Sequence, residues 1–409
     1  MAERFDQRDG RGVRDMCSAI SYDSYMATLQ EALAARTHDA ASELVEVLDA
    51  SSRAGSSPGR QRLRCHACGH QCPIPEGASG VCKVRFNAGG RLHVPWGYVG
   101  GVQCDPVEKK PFFHAYPGAL AYSFGMLGCD LHCGYCQNWL TSQALRDPHA
   151  GAAPRDTTPA SLVQDALRQQ AQIVVSTYNE PLITAEWAVA IFKEARAQGL
   201  VTGFVSNGNG TTRVLEYLRP HVDLYKVDLK SFDDRRYREL GGRLQPILDT
   251  IRWLHANGVW LEIVTLLIPG FNDSDAELRR LTQFVAGVSG DIPWHVTAFH
   301  PDYRMTEPVN TSPAMLHRAA DIARRAGLRY VYAGNAPGRV GDLEHTQCHA
   351  CGERLITRHG YLIQEYRLTP GGTCPRCATR IPGRWNTKFQ GQRTTLPFRP
   401  YDRSSLPVV

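Results

Sequence analysis

The chain has 409 residues, 43% of them hydrophobic, which is length enough for one large domain with a substantial core and for smaller modules beside it. A formal net charge of +6, scattered over many arginines, does not call for nucleic acid, and no apolar run approaches the length of a membrane span. The charged start at 1–14 carries no apolar signal stretch, so a cytoplasmic protein is expected.

Residues 1–62 read as an N-terminal extension, partly helical or disordered. Stretch 25–35 has helical character, 41–48 suggests a second helix, and 51–59 is a Ser/Gly/Pro linker. Residues 63–117 form a cysteine-rich metal-binding segment, with an extended-looking run at 91–99 followed by Asp105-Pro-Val-Glu-Lys-Lys-Pro-Phe-Phe-His114. From 118 to 340 short apolar runs alternate with amphipathic ones. Strands are predicted at 119–124, 173–176, 201–206, 224–229, 260–268, 295–299 and 330–332. Helices are predicted at 159–169, 183–197, 211–218, 244–257, 275–288 and 312–326. That alternation argues for parallel β/α units in an α/β fold, and the count suits a partial (β/α)6 TIM-like barrel with one further strand. Residues 341–390 read as a separate small module and 391–409 as an irregular tail.

Of 13 cysteines, 11 fall into three tight groups, and C-x-x-C spacing in a cytosolic-looking chain argues for metal rather than disulfides. Cys17 and Cys104 stand outside the groups. Cys348, Cys351, Cys374 and Cys377 make two C-x-x-C knuckles separated by 22 residues, the spacing of a zinc ribbon, with a rubredoxin-like iron site as the alternative. Such a module folds on its metal and would serve as a docking surface or a lid brace. Cys65, Cys68, Cys72 and Cys82 suit either zinc or a second 4Fe–4S cluster, with His66 and His70 as substitute ligands.

The middle group lies in Gly128-Cys-Asp-Leu-His-Cys-Gly-Tyr-Cys-Gln-Asn138. Cys129, Cys133 and Cys136, with three and then two residues between them, can hold three corners of a 4Fe–4S cube and leave one iron open. Tyr135 is placed to shield the cluster and to lie near an adenine. The pattern resembles the signature of the radical S-adenosylmethionine enzymes. That resemblance implies an open iron that chelates the methionine end of the cofactor, with one-electron reduction releasing a 5′-deoxyadenosyl radical.

In barrels of parallel strands, active sites gather at the C-terminal strand ends. Polar groups recur there: Ser176-Thr-Tyr-Asn-Glu-Pro181, Val205-Ser-Asn-Gly208, Asp228-Leu-Lys230, Pro269-Gly-Phe-Asn-Asp273 and Phe299-His-Pro301. The cofactor offers an ammonium, a carboxylate and ribose hydroxyls. Glu180 and Asn179 suit the ammonium, Lys230 the carboxylate, and Ser206 and Asn207 the ribose. The plainer alternative for Asp228 and Lys230 is a mutual salt bridge, and for His300 a satisfied loop or core histidine.

As an ordered set, these strings resemble the radical enzyme of the AmmeMemoRadiSam group, a relative of the pyruvate formate-lyase activating enzymes. The matching strings are Cys65-His-Ala-Cys-Gly-His-Gln-Cys72, Asp105 to Pro111, Tyr178-Asn-Glu-Pro181, Val227-Asp-Leu-Lys230, Leu267-Ile-Pro-Gly270, His295-Val-Thr-Ala-Phe-His-Pro301 and Tyr332-Ala-Gly-Asn335. The resemblance implies that Tyr178, Asn179 and Glu180 hold the cofactor's amino group, and Asp228, Lys230 and His300 its methionine portion. It also implies hydrogen abstraction from an unidentified substrate, such as a glycyl position on a partner protein, an electron donor such as flavodoxin or ferredoxin, and association with Ammecr- or Memo-type proteins. Radical modification of a small molecule or peptide is an open alternative. No side chain need act as acid or base in the cleavage, so none is assigned a catalytic role; Cys104 and Tyr303 are candidates for donating hydrogen later in a cycle. The contrasting class is a non-catalytic zinc-ribbon adaptor, which loss of any of Cys129, Cys133 or Cys136 would favour; all three are present.

Overall fold

A computed structural model describes residues 22–48 and 61–385. Cys17, the linker at 51–59 and the tail at 391–409 lie outside the described residues. Among those described, no helix is long and apolar enough to cross a membrane.

One eight-stranded sheet carries the site. Its strands are β1 (Gly101–Pro106), β2 (Leu120–Gly125), β3 (Ile173–Ser176), β4 (Val201–Ser206), β5 (Leu224–Asp228), β6 (Trp260–Leu267), β7 (Trp294–Ala298) and β8 (Val331–Gly334). They lie in sequence order, β2 to β8 all parallel, with β1 antiparallel to β2 at one edge. The sheet is therefore a partial barrel with β1 and β8 as its edges. Six βα units plus a seventh parallel strand are as expected; the antiparallel β1 was not predicted.

The crossovers are α1 (Pro159–Arg168), α2 (Ala185–Ala197), α3 (Thr212–Leu218), α4 (Leu244–Ala256), α5 (Asp275–Val288) and α6 (Pro313–Arg325). Four start alike: Thr158, Thr211, Ser274 and Ser312 each accept a hydrogen bond from the N–H three residues on. Proline at the first helical position of α1 and α6, where no N–H is needed, sharpens two of these starts. Apolar residues of the helices, such as Leu162, Phe192, Leu254, Leu281 and Leu316, meet Tyr122, Phe124 and Phe204 of the strands in the main core.

The N-terminal region departs from its sequence reading. A helix spans Tyr22–Ala34, but 41–48 is not helical: a single 3₁₀ turn at Ser42–Leu44 leads into a strand, Val45–Leu48. Val45 and Val47 alternate along it, and β-branched side chains favour the extended form. That strand pairs with Arg62–Cys65, and Thr37–Asp39 pairs with Arg91–Pro95. Residues 37–48 are thus woven into the cysteine-rich segment rather than appended before 63, and Met26, Leu29 and Leu33 join the main core.

The C-terminal module is a three-stranded antiparallel sheet, Thr346–Gln347, Arg354–His359 and Leu362–Tyr366. Leu355, Ile356 and Ile381 of the module cluster with Phe113, Tyr330 and Tyr332. Tyr330 precedes β8, so the module closes the N-terminal end of the barrel, opposite the loops of the candidate site. Glu262, buried inside β6, anchors this end by accepting from Phe113 N–H, His114 N–H, Trp260 Nε1 and His295 Nε2 at 2.7–3.0 Å.

Candidate active site

The loop after β2 carries Cys129, Cys133 and Cys136 at the C-terminal edge of the sheet. Two glycines let it lie there. A Cβ on Gly125 would stand 2.3 Å from Thr177 O, and Gly128, at φ +91°, would bring one within 2.9 Å of Val84. Leu131, Cys133 and Tyr135 are buried with Leu240, Ile268 and Phe299, with Cys129 and Cys136 packed against them. Burial pushes the Cys133 thiol up to about 12, while Lys230 opposes the shift. Burial likewise raises Cys129, with Asp130 and Glu180 adding to it, and raises Cys136 against a hydrogen bond to Ser142. Cys133 is buried and Cys129 and Cys136 are half-buried, so a positive charge at the loop would favour their thiolates.

Behind the loop is a closed polar network. Glu180 is buried and accepts from Ser206 Oγ at 2.6 Å, Asn207 N–H at 2.7 Å and Leu182 N–H at 3.1 Å. Burial, with Asp130 next in effect, pushes its carboxyl up to about 8. Asn207 Nδ2 donates to Asp130 Oδ1 and Asn209 Nδ2 to Asp130 Oδ2, both at 2.7 Å. Ser206 Oγ also accepts from Gly208 N–H, and Asn207 Oδ1 from Asn209 N–H. Glu180, Ser206 and Asn207 therefore bind one another, tying the ends of β3 and β4 to the cysteine loop through Asp130. Asp130 and Asn209 were missed in the sequence; the available signal was an acidic residue directly after Cys129 and a repeated Asn-Gly after β4.

Asn179 faces the same loop, its Oδ1 accepting from Met126 N–H at 3.0 Å. Tyr178 sits in the left-handed region at φ +69°, and its hydroxyl lies 3.1 Å from Lys110 Nζ. Asp228, at the end of β5, is held between two lysines: it pairs with Lys226 and lies 3.4 Å from Lys230 Nζ. The contact present is the plainer alternative for Asp228 and Lys230, a mutual salt bridge, with Lys226 as an unpredicted third member. Tyr135 meets Phe271 edge-on at 5.7 Å. His300 is exposed, 3.0 Å from Gln137 Nε2 of the cysteine loop, so the end of β7 reaches the same mouth.

Cys104 and Tyr303 differ in placement. Cys104 pairs in register with Tyr122 and packs against the main core, on the helix side of the sheet and away from the barrel interior. It is not positioned to give hydrogen to anything at the cysteine loop. Tyr303 is beside that loop: it stacks on Trp139 at 5.0 Å, donates to Asp147 at 2.8 Å, and its neighbour Arg304 donates N–H to Gly134 O at 2.9 Å.

At the far end of the barrel, Cys348, Cys351, Cys374 and Cys377 have sulfurs all within 4.8 Å of one another, a set able to hold a metal ion. Cys348–Cys377 and Cys351–Cys374 each stand 3.6 Å apart. His66 and His70, considered as substitute ligands beside Cys65, are engaged elsewhere. His66 Nε2 lies 2.8 Å from Glu46 Oε2, and His70 Nε2 lies 3.1 Å from Asp130 O.

A family model described as the Radical SAM superfamily matches residues 125–282. An uncharacterised protein of Methanocaldococcus jannaschii is 35% identical over 302 residues, spanning 73% of this chain and 88% of its own. The pyruvate formate-lyase-activating enzyme of Staphylococcus epidermidis is 27% identical over 196 residues, 45% of this chain and 76% of its own. Among solved structures, a domain of a pyruvate-formate lyase-activating enzyme from Bacteroides vulgatus superposes at a TM-score of 0.35 with 18% identity, covering 40% of this chain and 98% of that one.

Proposed function

We propose, for an enzyme chain that belongs to the radical SAM superfamily, that Cys129, Cys133 and Cys136 hold a 4Fe–4S cluster on which S-adenosylmethionine is reductively cleaved to abstract hydrogen from a substrate. The observation that carries the reading is a three-thiol loop at the end of the first parallel strand, packed on Leu131, Tyr135 and Phe299, with Asp130 in the loop and Asp228 and Lys230 at the end of β5 as charged groups. The donor set fits the group: soft thiolates and a nearby cation at Lys230 compensate one another's charge. When bound, the cofactor supplies a 5′-deoxyadenosyl radical, and the chain's residues only position it and keep water out.

In this reading Asp228, Lys230 and His300 hold the methionine portion, and Tyr135 covers the cluster beside the adenine. Tyr178 and Asn179 face the ammonium. Glu180, Ser206 and Asn207, bonded to one another, fix the ends of β3 and β4 behind the cysteine loop, in place of the direct contacts to ammonium and ribose expected of them. The four C-terminal thiols bind zinc and stiffen the closed end of the barrel. The substrate is a backbone Cα–H, such as a glycyl position, on a partner protein, and Ammecr- or Memo-type proteins are the first partners to test. The electron donor is a flavodoxin or ferredoxin.

The test is anaerobic reconstitution with iron and sulfide, followed by reductant and S-adenosylmethionine. 5′-Deoxyadenosine should form. An intact cluster by EPR with no such product would sink the reading. Deuterium transfer into 5′-deoxyadenosine from labelled candidate substrates then separates protein from small-molecule targets.

A further inference from the structure

We propose that Cys65, Cys68, Cys72 and Cys82 hold a second iron–sulfur cluster, set directly behind the Cys129–Cys136 loop and placed to hand it single electrons. The second half of that statement rests on the reading of the loop given above. The two cysteine groups are 47 or more residues apart in sequence (Cys82 to Cys129) yet share a contact surface. Gly69, next to Cys68, donates its N–H to Asn209 O at 2.7 Å, and a Cβ there would stand 2.2 Å from Asn209 Oδ1. Asn209 in turn donates to Asp130, beside Cys129. His70 reaches the Asp130 carbonyl at 3.1 Å. On the other flank, a Cβ on Gly128 would meet Cys82 O at 3.1 Å, so the neighbours of Cys129 pack on the backbone of Cys82 itself. Arg146 spans the seam, donating to Val81 O at 2.7 Å and to Leu131 O at 3.2 Å.

Three features favour iron–sulfur over zinc at this place. A tetrahedral zinc thiolate site needs sulfurs about 3.8 Å apart. Among the described residues the sulfurs of the Cys348 group all lie within 4.8 Å of one another, and no three sulfurs of the Cys65 group come that close together. Second, Arg85 is wholly buried, its Nη1 lies 3.8 Å from Cys65 Sγ, and Glu186 and Ile183 O fix its orientation. A fixed cation donating to a ligand sulfur is the lever that tunes a cluster's potential. Third, the site has an outer edge. Cys72 is half-buried, and Val81, whose N–H points at Cys72 Sγ from 3.5 Å, is 42% exposed, an apolar foothold for a protein donor. The step is one electron lost by an external low-potential protein donor and one gained here, then passed inward; no bond or proton moves.

The variant C129A/C133A/C136A, reconstituted anaerobically with iron and sulfide, isolates the site. About four irons and four sulfides per chain should remain, with an EPR signal on dithionite reduction. Zinc in their place, or no metal, overturns the proposal. Wild type should hold about four irons more. If it holds no more than the variant, the reading of the Cys129 loop fails while the second site stands. In the full chain Cys72→Ser, at the half-buried ligand, should slow reduction of the Cys129-loop cluster by reduced flavodoxin at least tenfold, with its EPR line shape in S-adenosylmethionine retained. An unchanged rate overturns the relay.

Discussion

Asp130 accepts from Asn209 across 2.7 Å, and through that bond one carboxylate joins the cysteine loop after β2 to the run after β4. Its other oxygen does the same for Asn207, whose backbone N–H is already committed to Glu180. Three strand ends are thereby held in fixed relation behind Cys129.

Replacing Asp130 by Asn should therefore cost activity without unfolding the chain. One of the two oxygens becomes an NH₂ facing the NH₂ of an asparagine, so one charge-assisted bond, worth about 1.5–3 kcal/mol, is lost. Expressed in the reaction, that is roughly a tenfold to hundredfold drop in 5′-deoxyadenosine formation. Circular dichroism should be unchanged. A wild-type rate in D130N would remove the network from the mechanism.

Cys133→Ala should abolish 5′-deoxyadenosine formation altogether. Cys133 is the most enclosed of the three loop thiols, with Lys230 as a charge that favours its thiolate. A cluster denied that corner loses its fixed orientation as well as a ligand. Any metal held by the Cys348 group should stay as in wild type, because that group lies at the other end of the barrel. Product above background in C133A would mean the thiols are not ligands.

Much of this was legible in the sequence, for identifiable reasons. The helices carry their own start signals, as Thr158-Pro159 and Ser274 with Glu277 illustrate, and the strands between them are short continuous apolar runs. The cysteine triplet was read from spacing alone. What escaped is what only tertiary contact decides. Val45–Leu48 reads as the tail of a helix until it meets Arg62–Cys65. Glu180 looked free to bind a ligand, yet its oxygens are taken by Ser206, Asn207 and Leu182. Nothing local to the C-terminal cysteines says which end of a barrel they close.

His114 makes the closed end pH-sensitive. Its Nδ1 lies 2.6 Å from Pro382 O, which fixes the proton there, and its Nε2 lies 2.6 Å from the Tyr332 hydroxyl. Burial pushes the imidazole down to about 4. The unfolded chain then binds more protons than the folded one between that value and about 6.5, so stability rises with pH across the window. The contribution is fully present above 6.5 and is lost as pH falls through about 4, on the order of 3 kcal/mol in all. Melting temperatures at pH 7 and pH 5 should fall further for wild type than for His114→Gln. Equal falls would show that His114 does not set the acid sensitivity.

Arg358 and Glu108 give the sharpest test of the plug. Both side chains are fully buried, with Arg358 Nε 3.6 Å from Glu108 Oε1. The guanidinium also donates to Phe113 O at 2.9 Å and Thr346 Oγ1 at 2.8 Å, so it stitches the C-terminal module to the loop under the barrel. Burial pushes Glu108 up to about 7, and Arg358 is the charge that opposes this. Arg358→Met leaves that carboxyl uncompensated and should cost on the order of 3–5 kcal/mol in urea unfolding. Adding Glu108→Gln should recover much of the loss, because the stranded charge goes with it. Strict additivity of the two substitutions would show that the pair is not coupled, and the module would then be held by its apolar cluster with Phe113 and Tyr332 alone.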